Sequence, residues 1–290
     1  MPSWSVLSPP QQSDPPPRAL RNQRLGDPPP APDPLTVPAL DSHCHMDIMG
    51  APVRQILDEA AAVGITRVVQ VGTDVPSSRW SVAQAYTYDA VVATVAIHPN
   101  EAGRGGAGPD ALEAIDELAA LPSVRGIGET GLDRFRTGPD GYAVQEASFR
   151  AHIDMAKRHG KALVIHDRDA HADVLRVLAE EGAPERTVFH CFSGDAEMAR
   201  VCVERGYVMS FAGTLTFKNA EGLRAAARLA PLDLVLVETD APFLTPMPYR
   251  GRPNAPYLVP LTLRALAEIK DVDLEELCAA VAATGSRLFD

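Results

Sequence analysis

Cysteine is scarce in this chain, and long apolar runs are missing. Only four cysteines occur among 290 residues, Cys44, Cys191, Cys202 and Cys278, and no two of them form a C-x-x-C pair. That spacing argues against a disulfide framework and for free thiols in a reducing, cytoplasmic setting. The longest nearly apolar stretch, 91–97, is far shorter than the ~18–20 residues that a membrane-spanning helix needs. The first 35 residues contain no continuous apolar run of the ~7–15 residues of a secretory signal, so none is expected. Basic excess is also missing: the formal net charge is −11. An acidic body disfavours non-specific binding of duplex nucleic acid through a broad basic face. It still allows a polyanionic substrate held locally by metal ions and a few arginines. No G-x-G-x-x-G follows the first β-rich run, which argues against a dinucleotide-binding, doubly wound sheet.

What is present divides in two. Residues 1–38 hold 12 of the 26 prolines, with runs at 15–17 and 28–30, and read as a disordered, proline-rich tail. Such a tail could recruit a partner through polyproline II contacts. Residues 39–290 form one domain of about 250 residues, the usual size of an α/β barrel. Strands are expected at 39–43, 67–72, 91–97, 124–128, 162–166, 187–190, 207–210 and 234–237. Their cores are β-branched and apolar on both faces, the mark of parallel strands covered on both sides. Between them run helical stripes. Val53, Ile56, Leu57 and Ala60 form one, ended by Gly64; Phe149, Ile153 and Ala156 form another, ended by Gly160. Eight β–α alternations predict a closed (β/α)₈ TIM barrel with an extra C-terminal helix at 273–289.

Ionisable residues cluster at the ends of those strands. His43 and His45 flank Cys44 at the end of the first, where i and i+2 point to one side. Glu129 follows the fourth, His166 and His190 end the fifth and sixth, and Asp240 follows the eighth. Polar groups at the ends of buried strands are costly unless paired or ligated, and the C-terminal rim is where barrels carry out catalysis. Four imidazoles and two carboxylates suit zinc or manganese better than calcium. Six ligands exceed one catalytic zinc and fit two ions about 3.5–4 Å apart that share a carboxylate.

The segments Asp41-Ser42-His43-Cys44-His45, Ile97-His98-Pro99, Gly128-Glu129-Thr130-Gly131-Leu132-Asp133, Val164-Ile165-His166, Phe189-His190-Cys191-Phe192-Ser193-Gly194, Gly213-Thr214-Leu215-Thr216-Phe217-Lys218 and Glu238-Thr239-Asp240-Ala241-Pro242 together resemble the TatD family of metal-dependent deoxyribonucleases. The resemblance spans residues 40–290. It implies a hydrolase barrel akin to the amidohydrolases, with two divalent ions (zinc, magnesium or manganese) held by His43, His45, Glu129, His166, His190 and Asp240, and with Glu129 bridging. It implies cleavage of phosphodiesters in single-stranded DNA, with RNA as a further substrate class. Arg134 and Ala255 depart from the family's pattern, where an aromatic and a glutamate are common, and put specificity in doubt more than chemistry.

On this reading Asp240 activates the water, Glu129 supports it, and Arg168, His98, Lys218, Arg250 and Arg252 meet the substrate. The bland alternatives are a salt bridge from Arg168 to Asp169 or Asp195, solvated loops for Lys218, Arg250 and Arg252, and a structural hydrogen bond for His98. Cys44 and Cys191 are expected to pack inertly, His152, His159 and His171 to lie at the surface or cap helices, and Phe192, Phe211 and Phe217 to fill the core. An ester or amide hydrolase, including a deacylase for misacylated tRNA, uses the same ligand set. A non-catalytic scaffold predicts a lost ligand, and none is lost. No membrane partner is expected, and a monomer is assumed.

Overall fold

The computed structural model describes residues 26–290. All eight expected strands form: β1 Ala39–Cys44, β2 Ile65–Val71, β3 Val91–Val95, β4 Val124–Asp133, β5 Ala162–Arg168, β6 Thr187–Phe189, β7 Val208–Phe211 and β8 Val235–Val237. They pair in sequence order, every neighbour parallel. Parallel pairing follows from the helical crossovers, which return the chain to the same end of the sheet each time.

The barrel closes where the segment after β8 meets β1. Cys44 bridges Ala241 in parallel, the Asp240 N–H donates to the His43 carbonyl at 2.9 Å, and the His45 N–H donates to the Ala241 carbonyl at 2.8 Å. Asp41 fastens the same seam: its carboxylate accepts the Thr239 N–H at 2.9 Å and the Thr239 hydroxyl. Burial pushes the Asp41 carboxyl up to about 8, against the hydrogen bonds it receives from Thr239 and His43.

The helices cap as the sequence suggests. The helix Tyr142–His159 stops at Gly160, whose φ of 61° is left-handed. The C-terminal helix Leu274–Phe289 starts at Asp273, whose side chain accepts the N–H groups of Glu275 and Glu276. It packs closely on β1, where a Cβ on Gly285 would lie 2.7 Å from Leu40. Among the described residues no helix is long and apolar enough to cross a membrane. All four cysteines are free.

The expected tail over 1–38 is met here only from residue 26, and residues 1–25 lie outside the described residues. From Asp27 to Leu35 the chain is held against the barrel. Arg252 donates to the carbonyls of Asp27 and Pro28, Tyr257 to Pro29 at 2.7 Å, and Arg264 to Asp33 at 2.7 Å. The Leu35 N–H donates to the Val63 carbonyl at 3.1 Å, and its side chain is buried in the core. Proline removes N–H donors but leaves every carbonyl as an acceptor, so this segment is ordered by side-chain donors on the barrel. Composition alone hides that, because the donors lie more than 200 residues away.

Leu35→Ala is therefore expected to lower stability by about 2 kcal/mol. Urea denaturation should show a lower midpoint at unchanged slope; a midpoint equal to wild type would mean that the segment contributes nothing.

Candidate metal centre

Several cluster residues owe their positions to a break in regular pairing. Between β1 and β2 the register moves from Asp41↔Val68 to Cys44↔Gln70, three residues against two. Between β4 and β5 it moves from Ile127↔Leu163 to Thr130↔Ile165, so Glu129 sits on a bulge. Bulges re-aim side chains, and this one turns Glu129 into the barrel mouth. Gly128 permits it, since a Cβ there would lie 2.5 Å from Val164. Gly131 is as constrained: φ is +139°, and a Cβ would lie 2.1 Å from the His166 carbonyl oxygen. Asp240 stands in the left-handed region with φ 51°, held there by its N–H bond across the seam.

The six residues converge. Glu129 is at their centre and is buried. Its Oε2 lies 3.4 Å from His43 Nε2 and 3.5 Å from His45 Nε2. Its Oε1 lies 2.6 Å from His166 Nδ1 and 2.8 Å from His190 Nε2. One carboxylate thus faces two separate imidazole pairs, one with each oxygen. Asp240 Oδ1 joins the first pair, 3.5 Å from His45 Nε2 and 3.9 Å from His43 Nε2. His43 also stacks on His190, with ring centroids 3.8 Å apart.

Protons distribute accordingly. Burial opposes charge on His190, yet Glu129 and Glu238 hold it well above the ordinary imidazole range. His45 is likewise opposed by burial but drawn up to about 9 by Asp240 and Glu129. Burial and the neighbouring His190 push His43 down. Burial resists ionisation of Glu129, but the surrounding imidazoles hold it well below the carboxylate range.

The donor set fits divalent cations. Three overlapping groups bring candidate ligand atoms within 4.8 Å of one another: His43, His190 and Asp240; His43, His45 and Glu129; His98, Glu129 and His166. His43 Nε2 faces His45 Nε2 at 3.3 Å, a separation that also suits two ligands of one cation. The outer ring nitrogens are fixed by carboxylates. His190 Nδ1 lies 3.1 Å from Glu238 Oε1, and His166 Nε2 lies 3.2 Å from Asp133 Oδ2. A proton held on those outer atoms leaves the inner nitrogens free to ligate. His98 differs. Its Nδ1 accepts the Asn100 N–H at 3.0 Å, so in the neutral ring the proton is on Nε2, 3.3 Å from Glu129 Oε1. That makes His98 a donor to Glu129 and not a ligand.

The expected substrate contacts fare unevenly. Arg168, at the end of β5, makes neither expected salt bridge; its guanidinium lies 4.1 Å from the ring centre of Phe135, which is 60% exposed. Lys218 is exposed, and Arg250 lies over the Phe217 ring at 4.3 Å. Arg252 is corrected: it holds the N-terminal segment, as described above, because the carbonyls of Asp27 and Pro28 offer it acceptors. Arg134 is turned from the mouth, paired with Asp173 at 3.0 Å and stacked on Tyr142. His152 is not at the surface. It is buried, with Nε2 accepting the Ile97 N–H at 3.0 Å, and burial lowers it to about 4. Cys44 is fully buried, whereas Cys191 is partly exposed and lines a cavity; Phe192 and Phe211 are core, and Phe217 is half-buried. Glu238 and Asp133 escaped the sequence reading as site residues. Both stand in the quoted segments, but nothing in the sequence separates an outer carboxylate from one that caps a loop.

A family model described as "TatD related DNase" matches residues 40–290. A protein of Mycobacterium tuberculosis, "Uncharacterized metal-dependent hydrolase TatD", is 46% identical over 86% of this chain and 97% of its own. "Uncharacterized metal-dependent hydrolase YcfH" of Escherichia coli K12 is 38% identical over 86% of this chain and 95% of its own. The crystal structure of YJJV, a TatD homolog from Escherichia coli, superposes with a TM-score of 0.80 at 26% identity, over 87% of this chain and 97% of that one.

Glu238→Gln is expected to weaken binding of Mn²⁺ or Zn²⁺ by about 10- to 100-fold, through the misplaced His190 tautomer. Titration calorimetry on chelator-stripped protein checks this; unchanged affinity would remove Glu238 from the site.

Proposed function

The chain belongs to the TatD-related DNase family of metal-dependent hydrolases, and from that premise we propose that it hydrolyses phosphodiester bonds in single-stranded DNA. The observation that carries the reading is the split of Glu129 between two imidazole pairs, with an arginine and an exposed aromatic ring at the rim beside it.

His43, His45, Glu129, His166, His190 and Asp240 would hold two divalent ions, with Glu129 shared between them. When bound, such ions supply Lewis acidity, lowering the pKa of water and offsetting charge on the phosphate oxygens. The protein's own groups do the rest. Asp240 is the water-activating residue in this scheme. Its side chain is 15% exposed against 4% for Glu129, so solvent reaches it first. Burial works against its ionised form, but His45 and the other imidazoles keep its carboxyl below the ordinary range, so it is held ionised. His98 holds a proton toward Glu129 Oε1 and fixes that oxygen's orientation. Arg168 offers a planar fork for a non-bridging phosphate oxygen pair. Phe135, open beside it, suits an unpaired base, since every base presents a π-face for stacking. A stacked single strand needs no broad basic surface, in keeping with a net charge of −11.

The test compares metal-stripped protein re-supplied with Mg²⁺, Mn²⁺ or Zn²⁺ on labelled single-stranded DNA, RNA and acyl-ester substrates. Metal-dependent turnover of the DNA is expected, and Asp240→Asn should reduce it by at least ~10²-fold. Ester turnover with no nuclease signal would replace this reading with that of a carboxyl-ester hydrolase. Arg168→Ala should act mainly on KM; an unchanged KM would free Arg168 from the phosphate.

A further inference from the structure

We propose that a cavity of about 360 Å³ beside the metal centre is a nucleobase subsite. This rests on the nuclease reading and extends it from the phosphate to the base. The cavity lies between the segments that follow β6 and β7. Its edge begins at Cys191, the residue after His190, whose Nε2 is 2.8 Å from Glu129. A base seated there belongs to a nucleotide whose phosphate is at the metal centre.

The lining decides what kind of group enters. It includes no lysine, arginine or histidine, and its one ionisable oxygen acid is Asp195. The Asp195 carboxylate accepts the N–H groups of Glu197 and Met198 at the start of the helix Ala196–Arg205 and is held ionised by them. A phosphate would meet that charge in the lining itself, where no residue is a cation. An uncharged ring meets the face of Phe217 and the polar side chains of Thr214 and Asn219. Phe217 is braced by Arg250, whose guanidinium lies 4.3 Å from the ring centre. The volume falls within the ~300–1,000 Å³ of small-molecule pockets. On this reading the substrate is divided: Arg168 and the metal ligands take the phosphate, and this cavity takes the base.

Two single-stranded oligonucleotides of equal length test this, one complete and one with abasic residues flanking the cleaved bond. Wild type should prefer the complete strand on the order of tenfold in kcat/KM, through KM. Gly222→Leu puts a side chain into the cavity wall, at a helical position where an added Cβ meets nothing within 4 Å and where leucine favours the helix. It should reduce the preference, leaving the part that stacking on Phe135 contributes. Phe217→Ala should reduce it through KM by removing the stacking face. A preference that Gly222→Leu leaves undiminished overturns the subsite alone, and equal cleavage of both strands by wild type overturns base stacking on Phe135 as well. A wild type that cleaves neither strand overturns the nuclease reading and the subsite with it.

Discussion

A carboxylate as buried as Glu129 stays ionised only if positive charge or hydrogen-bond donors meet both of its oxygens. In this chain the partners are imidazoles supplied by four other strand ends. His43 and His45 come from β1, His98 from beyond β3, His166 from β5 and His190 from the end of β6. Much of the architecture of the barrel mouth follows from that requirement. The bulge in β4 brings the carboxylate inward, Gly128 and Gly131 allow neighbouring backbone to approach it, and the seam between β8 and β1 brings Asp240 against the same imidazoles. A core of apolar side chains could fill the same space more cheaply. Its replacement by charged groups is the physical sign that the site serves chemistry and not stability.

The outer layer matters as much as the inner one. Glu238 and Asp133 do not touch the centre of the cluster, yet each decides which nitrogen of its histidine carries a proton. Asn100 does the reverse for His98 by donating its N–H to Nδ1. Three histidines of the same chemical type thus acquire two different roles. With a cation bound, His166 and His190 would present lone pairs inward, whereas His98 presents a proton.

Most of this was legible in the sequence because it is local. Alternating β-rich runs and helical stripes announce a parallel barrel, and a polar residue at the end of a buried run is conspicuous. His43, His45, Glu129, His166, His190 and Asp240 were found that way, and the structure brings all six together. What could not be read was set by distant contacts. Arg252 looked like a phosphate ligand until the carbonyls of Asp27 and Pro28 proved to be its acceptors. His152 was expected at the surface or as a helix cap, but it is buried and accepts the Ile97 N–H. Proline content suggested tail up to residue 38, whereas donors on Tyr257 and Arg264 order the chain well before that. In each case the deciding partner stands 55 to 231 positions away, beyond the range of any periodicity.

The seam that joins the first strand to the segment after the last has a consequence for biosynthesis. Its hydrogen bonds link residues 41–45 to 239–241, and the helix that packs on Leu40 comes later still. A ribosome must therefore deliver nearly the whole polypeptide before the ring can shut. Until then the nascent chain carries its histidines on an open, unfinished sheet, and hydrolytic power is withheld from a chain still being made.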